Sequence, residues 1–298
     1  MFLFNRLSAA GCVVAGSALT SLSPFFIEFS GIEAVASSFY RLGIGGAALF
    51  LFVLLSKKQL PKKKTVGLCF LASILISMDL VMWNQSILYV GPGLATVLGN
   101  LEIVFLVIIG AVFFRERLPL KFLIMCCLIA IGIYALITPY LIDFKVQNLV
   151  GIAVGISSSL VYSVYLLLIK TVGRENSEIS ILSILSVIFL FGASLLGSYI
   201  LISPSLTFAI PTWQGVACVV SNGLTCQVFG WFLISKGLKD VKLSLSGLLM
   251  LTQPSLVFIF DCFFLGRNTE WIQIFGCILL LLAVYGASQK RSEEPAVA

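Results

Sequence analysis

Three ionisable side chains lie inside stretches of sequence that are otherwise apolar. Asp79 and Glu102 carry carboxylates, and Arg41 carries a guanidinium that stays charged in proteins. The residues before Asp79, VGLCFLASILIS, and those after Glu102, IVFLVIIGAVFF, contain no charged side chain. Groups of this kind could bind a charged ligand, carry a proton or pair with one another. The elements that hold them decide between these roles.

The composition predicts a protein whose solvent is a lipid bilayer. Of its 298 residues, 59% are hydrophobic and 11% are charged, and the mean hydropathy is +1.10. A soluble domain has about 25% charged residues. The sequence contains no His, which excludes His-based metal sites, triads and proton relays. The eight Cys form no CxxC motif and are expected to be small buried hydrophobes, so no metal site and no cofactor is expected.

Ten apolar runs are long enough to cross the bilayer, since a spanning helix needs roughly 20 residues. The gaps between them are too short to hold an extramembrane domain. The predicted fold class is therefore an all-α integral membrane protein with ten transmembrane helices. The runs lie near 7–27, 33–55, 66–89, 93–114, 120–141, 149–170, 179–202, 213–235, 243–265 and 270–288.

The distribution of basic residues predicts the orientation of these spans. With ten spans, sixteen of the nineteen Lys and Arg residues fall on the side of both termini. Only Lys145 and Arg267 fall on the other side, and Arg41 lies within a span. By the positive-inside rule, both termini are expected in the cytoplasm, with the protein in the cell (inner) membrane. The basic loops then face anionic lipid, and no nucleic-acid partner is expected.

The two halves of the sequence resemble each other. Gln227 follows Asp79 by 148 residues, and Trp231 follows Trp83 by the same number. The stretch NLEIVFLVIIGAVFFRER aligns with LTQPSLVFIFDCFFLGRN, which places Glu102 opposite Gln253. We therefore expect two repeats, residues 1–144 and 145–298, each of five spans. Because five is odd, the second repeat must be inverted, an arrangement common in secondary transporters.

Several motifs resemble one known family. They are SSFYRLGIGGAALF in the second span and YVGPGLATVLGNLEIVFLVIIGAVFFRERLPLKFLIMCCLIAIGIYAL over the fourth and fifth. On these motifs, and over about residues 7–290, the chain resembles the drug/metabolite transporter superfamily, EamA-type permeases. The resemblance implies an exporter or exchanger of amino acids and other small metabolites, with a substrate cavity at the centre of the helix bundle. The second half departs from the family pattern at GRNTEW, where a G-E-R-L-like turn is usual.

The intramembrane charges have two interpretations. Each costs roughly 2.5–3.5 kcal/mol at the centre of a span, so each should face the bundle interior. Arg41 could form a structural pair with Asp79 or with Glu102, and the sequence does not say which. Alternatively, all three line a cavity and contact substrate or protons. Desolvation favours the neutral form of a carboxyl group, whereas a nearby guanidinium favours the ionised form.

Aromatic and amide side chains extend the predicted cavity. Asp79 and Trp83 share a helical face at i and i+4, and Gln227 and Trp231 repeat this spacing. Trp attracts cations, so an ammonium-bearing substrate would fit, with Arg41 available for its carboxylate. Packing or lipid contact is the alternative role for both Trp residues. Further candidate lining residues, or alternatively interhelical hydrogen-bonding residues, are Asn84, Asn100, Tyr162, Asn222 and Gln253. Pro254 is a candidate hinge inside the ninth span.

The function predicted from these features is transport by alternating access. The substrate is expected to be a small polar or zwitterionic, amino-acid-like metabolite that is exported or exchanged, with the proton as a candidate coupling ion. Alternatives are a passive facilitator, a nucleoside- or S-adenosylmethionine-type metabolite exchanger and, more remotely, a membrane scaffold or receptor. No P-loop, GxSxG or paired-Asp motif occurs, so neither ATP hydrolysis nor another enzymatic activity is expected.

Overall fold

The chain is helical along nearly all of its described length. The computed structural model describes residues 7–113, 120–142, 146–175, 179–264 and 270–288, and these contain no β-strand. Helices satisfy their own backbone hydrogen bonds, as an apolar solvent requires. They are α1 (Ala9–Thr20), α2 (Ser23–Ser30), α3 (Ala34–Leu55), α4 (Lys63–Gly99), α5 (Glu102–Phe113), α6 (Leu120–Ile142), α7 (Val146–Glu175), α8 (Ile181–Ile202), α9 (Trp213–Ser221), a π-helix (Asn222–Gly230), α10 (Trp231–Leu238), α11 (Leu243–Met250), α12 (Thr252–Phe264) and α13 (Trp271–Ser288).

Six stretches within the described residues are long and apolar enough to cross a membrane, which confirms a multi-pass membrane protein. Helix also covers most of the described parts of the other four predicted runs. A total of ten crossings in two inverted repeats stays a prediction. The six stretches are Ala9–Ser30, Ala34–Leu55, Lys63–Gly93, Leu149–Arg174, Ile181–Ile202 and Trp213–Leu238.

Helix α4 runs through the boundary that the sequence predicts between the third and fourth spans. The boundary is a kink at Gly91, where φ is 84° and ψ is 163°. Side chains with a Cβ rarely adopt this conformation, so glycine permits the change of direction here. Pro92 follows, and its missing N–H falls where the second helical segment begins.

Two predicted spans are interrupted close to their polar residues. Residues 100–101 form a turn between α4 and α5, and residue 251 forms a turn between α11 and α12. The breaks lie just before Glu102 and Gln253, which occupy aligned places in the two halves. The turn at residue 251 therefore lies three residues before Pro254, the predicted hinge. Pro254 is the third residue of α12, where a missing N–H removes no intrahelical hydrogen bond.

The helices pack closely at glycine positions. The main partners are α4 with α7, α3 with α8, α6 with α13, and α1 with α10. A Cβ added at Gly16 of α1 would lie 2.6 Å from the carbonyl oxygen of Gly230, and one added at Gly151 of α7 would lie 2.8 Å from Cβ of Tyr89. Small residues thus bring these backbones together, as is usual between membrane helices.

Candidate functional site

One cavity collects most of the polar groups that the sequence places in the membrane. Its volume is about 60 Å³. That is room for roughly four to six waters, since each needs about 10–15 Å³. Side chains from both halves of the chain line it: Thr20, Arg41, Ile76, Asp79, Leu80, Trp83, Thr96, Asn100, Glu102, Ser158, Tyr162, Trp231 and Gln253, with Gly99.

Asp79 is held in this cavity by a contact between α4 and α7. The Ser158 hydroxyl donates a hydrogen bond of 2.6 Å to Oδ1 of Asp79. The two helices come close because Gly155, three residues before Ser158, leaves space. A Cβ at Gly155 would lie 2.8 Å from Oγ of Ser86. Asp79 is buried. Its carboxylate accepts one hydrogen bond from the protein and also lines the cavity.

Glu102 is the first residue of α5, directly after the turn at residues 100–101. A carboxylate in the first turn interacts favourably with the positive end of the helix dipole. The side chain is 4% exposed, so it is removed from bulk solvent. Within the described residues, no donor lies at hydrogen-bond distance from its carboxylate. Glu102 is therefore a buried, unpartnered acid that faces the cavity.

Arg41 contacts neutral partners instead of an acid. Its Nε donates a 2.7 Å hydrogen bond to Oε1 of Gln227, and its Nη1 donates a 3.0 Å bond to Oγ of Ser23. The Ser23 hydroxyl in turn donates to Oδ1 of Asn222 at 2.9 Å. In the described part of the chain, no carboxylate oxygen lies within 4.0 Å of the guanidinium nitrogens. The predicted structural pair with Asp79 or Glu102 is thus replaced by a network of amides and hydroxyls.

Aromatic rings form the remaining walls. The guanidinium carbon of Arg41 lies 5.9 Å from the centre of the Trp83 ring. On the opposite half, Trp231 packs edge-to-face against Tyr162 at 5.7 Å and against Tyr165 at 5.2 Å. Both Trp side chains are buried, so they face the bundle and not lipid. Their negative ring faces make this an environment that suits cations.

The cavity includes eight of the eleven residues that the sequence nominates for it. Of the other three, Gln227 accepts a hydrogen bond from Arg41, and Asn222 accepts one from Ser23. Asn84 lies away from the cavity, where its Nδ2 is 3.1 Å from the Ala34 carbonyl and 2.9 Å from Ser38 Oγ. Asn84 thus ties α4 to α3, as its alternative packing role predicts. The eight lining residues are Arg41, Asp79, Trp83, Asn100, Glu102, Tyr162, Trp231 and Gln253.

The Ser and Thr residues that line the cavity are absent from the predicted set. Ser158 is the hydrogen-bond donor to Asp79, and Thr20 has its hydroxyl 3.2 Å from Oε1 of Gln253. Thr96 also lines the cavity. Ser and Thr are common in membrane helices, and no spacing separates these three from the others. The only available signal is the small-residue spacing Gly151, Gly155 and Ser159, which places the neighbouring Ser158 on a close-packed helix.

Comparisons with known proteins agree with a transport protein. The EamA-like transporter family matches residues 7–138 and 149–289. Two proteins of Archaeoglobus fulgidus, both described as an uncharacterized transporter, are 24% identical to this chain. The first match covers 93% of this chain and 95% of the relative, and the second covers 91% and 93%.

A protein of known crystal structure has a similar fold. The TM-score is 0.78 at 18% sequence identity, over 95% of this chain and 99% of that protein. At this identity the likeness concerns the arrangement of the helices alone. The membrane helices, the polar cavity and the family match along both halves lead to one conclusion: the chain belongs to the EamA-like transporter family.

Proposed function

We propose that the protein is a secondary transporter that moves a small polar, amino-group-bearing metabolite through the central cavity by alternating access. The substrate is amino-acid-like in size, a class that includes zwitterions, and it is exported or exchanged. The protein lies in the cell membrane, with both termini in the cytoplasm. Its ten spans form two inverted repeats, residues 1–144 and 145–298. The supporting observation is a cavity in which polar side chains of both halves meet.

The packing of the helices supports exchange between two inverted halves. The aligned halves relate α3 to α8, α6 to α13, α5 to α12, and the end of α4 to α11. Helix α3 contacts α8 and α6 contacts α13, and the contact of α5 with α11 is matched by the contact of α12 with α4. The contact between α4 and α7 likewise has its counterpart in α10 and α1. The main contacts of one half therefore have counterparts in the other, which supports an inward-facing and an outward-facing state of similar construction.

Flux in proteoliposomes tests the proposal. Purified protein is reconstituted, and uptake and counterflow of pooled labelled amino acids and nucleosides are measured with and without a pH gradient. We expect saturable flux that depends on Asp79 and Glu102. Flux driven by the gradient and lost in Asp79→Asn or Glu102→Gln would make protons the coupling ion. Gradient-independent counterflow that survives both changes would identify a passive facilitator or exchanger.

The control variant is Glu33→Gln. Glu33 precedes α3, is exposed, and makes no side-chain capping hydrogen bond. It undergoes the same carboxylate-to-amide change outside the cavity, so its flux should equal that of the unsubstituted protein. Size-exclusion profiles in detergent show whether each variant is folded. Absence of flux for every labelled compound, with well-folded protein, would refute the proposal.

A further inference from the structure

The cavity has more acidic than basic side chains. Its ionisable lining side chains, apart from Tyr162, are the carboxyl groups of Asp79 and Glu102 and the guanidinium of Arg41. One guanidinium offsets one carboxylate, so the ionised cavity keeps one net negative charge. A buried charge is stable only when it is paired. A zwitterionic ligand has no net charge and leaves this excess in place, whereas a ligand with one additional positive charge removes it.

Glu102 is the group that lacks a partner. The carboxylate of Asp79 accepts a 2.6 Å hydrogen bond from the Ser158 hydroxyl. The carboxylate of Glu102 has no hydrogen-bond donor among the described residues. Its side chain is 4% exposed and lines the cavity. An unpartnered carboxylate that is buried to this degree and directed into a cavity points to a ligand that supplies the missing donors and charge.

Arg41 is part of the protein framework as well as of the cavity wall. Two of its three guanidinium nitrogens donate to Gln227 and Ser23, and these bonds connect α3 with the π-helix and α2. The Trp83 ring lies beside it at 5.9 Å. The cation of Arg41 is therefore already held by neutral and aromatic groups.

The aromatic walls favour the same class of ligand. Trp83 and Trp231 contribute rings from the two halves, and Tyr162 packs edge-to-face on Trp231 at 5.7 Å. Such rings attract ammonium groups through their negative faces, most strongly when water is excluded. We infer that, given the proposed transport function, the cavity selects substrates with a net positive charge, namely amines, diamines and basic amino acids, over zwitterions, with Asp79 and Glu102 as their counter-ions.

A panel of ligands of matched size tests this inference. Cadaverine carries two positive charges, lysine carries one net positive charge, and norleucine is a zwitterion with a similar carbon chain. Each is used as a competitor and as a counterflow substrate in proteoliposomes, and binding to detergent-solubilised protein is followed through intrinsic Trp fluorescence. We expect lysine and cadaverine to bind about tenfold more tightly than norleucine, equivalent to about 1.4 kcal/mol.

Two kinds of variant separate a charge effect from misfolding. Asp79→Asn and Glu102→Gln should remove the preference of the cavity for cations, while Glu33→Gln should keep it. Gln253→Glu adds a carboxylate to the cavity at the place aligned with Glu102. This change should raise the affinity for cadaverine relative to lysine by roughly tenfold. The added negative charge attracts a dication more strongly than a ligand with one net positive charge. A gain of this kind cannot come from loss of structure.

Each outcome has a defined meaning. Tighter binding of the cations, with the predicted response to Gln253→Glu, supports the inference. Equal or tighter binding of norleucine overturns it, even if norleucine is transported and the proposed function stands. Cation binding without flux of any compound keeps the cation site but refutes transport. If none of the three compounds binds or moves, the inference is refuted.

Discussion

The Nε of Arg41 and the Oε1 of Gln227 are joined by a 2.7 Å hydrogen bond between side chains that are both buried. Arg41 lies in α3 of the first half, and Gln227 lies in the π-helix of the second. The bond therefore crosses between the halves at the edge of the cavity. Gln227 stands where the alignment of the halves places the counterpart of Asp79. An amide at this position can accept the bond without neutralising the guanidinium.

Gln227→Leu removes the acceptor and leaves a buried guanidinium N–H without a partner. We expect a loss of about 1–3 kcal/mol in stability, the usual cost of an unsatisfied buried donor. The apparent melting temperature in detergent, read from size-exclusion profiles after heating, measures the loss. Gln214→Leu is the matched control, since Gln214 is exposed at the start of α9. Equal melting temperatures for the two variants would contradict the role assigned to the bond.

Ser158→Ala removes the hydroxyl that donates to Asp79. A hydrogen bond to an ionised group contributes about 1.5–3 kcal/mol, so the affinity for a cationic ligand should fall at least about tenfold. Competition binding with lysine measures the change. Ser157→Ala serves as the neighbouring control, because the Ser157 hydroxyl is exposed and donates to the carbonyl of Ala153 in its own helix. An unchanged affinity in Ser158→Ala would show that the hydroxyl does not support the carboxylate.

Gly16→Ala tests the contact between α1 and α10. The added Cβ would lie 2.6 Å from the carbonyl oxygen of Gly230 and 2.8 Å from the backbone nitrogen of Ile234, so the helices must separate. We expect a destabilisation of about 1–3 kcal/mol, typical of overpacking. Gly67→Ala in α4 meets no atom within 4 Å and should be neutral or stabilising by up to about 1 kcal/mol. Thermal unfolding of both variants in the same detergent gives the comparison.

Gly91→Ala tests the kink in α4. At φ 84° and ψ 163°, a residue with a Cβ is strained by about 1–3 kcal/mol. The variant should lose stability or straighten the helix, and Trp83 fluorescence should report a changed cavity. The comparison is Gly31→Asn, at φ 64° and ψ 23°, where Asn is tolerated and nothing lies within 4 Å of the added Cβ. Similar stability of the two variants would argue against strain at Gly91.

Labelling with a membrane-impermeant thiol reagent tests the orientation of the spans. A cysteine at Ser205, in the loop after α8, should react in intact cells, because this loop is predicted outside. A cysteine at Gln59, in the basic loop between α3 and α4, should react only after permeabilisation. Both positions are exposed in the structure, and the unsubstituted protein gives the background from its own cysteines. Reaction of both sites in intact cells would contradict the predicted topology.

The sequence predicts the helical segments and most of the cavity because both depend on coarse properties. Length and hydropathy place the helices, and the cost of a charge in lipid directs Arg41, Asp79 and Glu102 inward. Spacing places Trp83 one turn from Asp79. Whether these residues bind substrate stays a prediction, which the variants above test.

The finer features depend on tertiary contacts that a hydropathy pattern does not contain. The turns at residues 100–101 and 251 and the π-helix at 222–230 lie inside runs that are as apolar as regular spans. The partners of Arg41 are neutral side chains of α2 and the π-helix, and hydropathy and charge do not predict that these lie beside the guanidinium instead of an acid. Ser158 is indistinguishable from its neighbours Ser157 and Ser159 until the packing of α7 on α4 is known.

Asp79 and Gln227 hold aligned places in the two halves, yet one is an acid and the other an amide. The halves of the chain therefore resemble each other in shape but not in charge. Under alternating access, turning the molecule from one side of the membrane to the other does not reproduce the original arrangement. We therefore expect the inward-facing and outward-facing states to differ in energy even without a gradient. Under the proposed mechanism, the empty carrier would then reorient at different rates in the two directions.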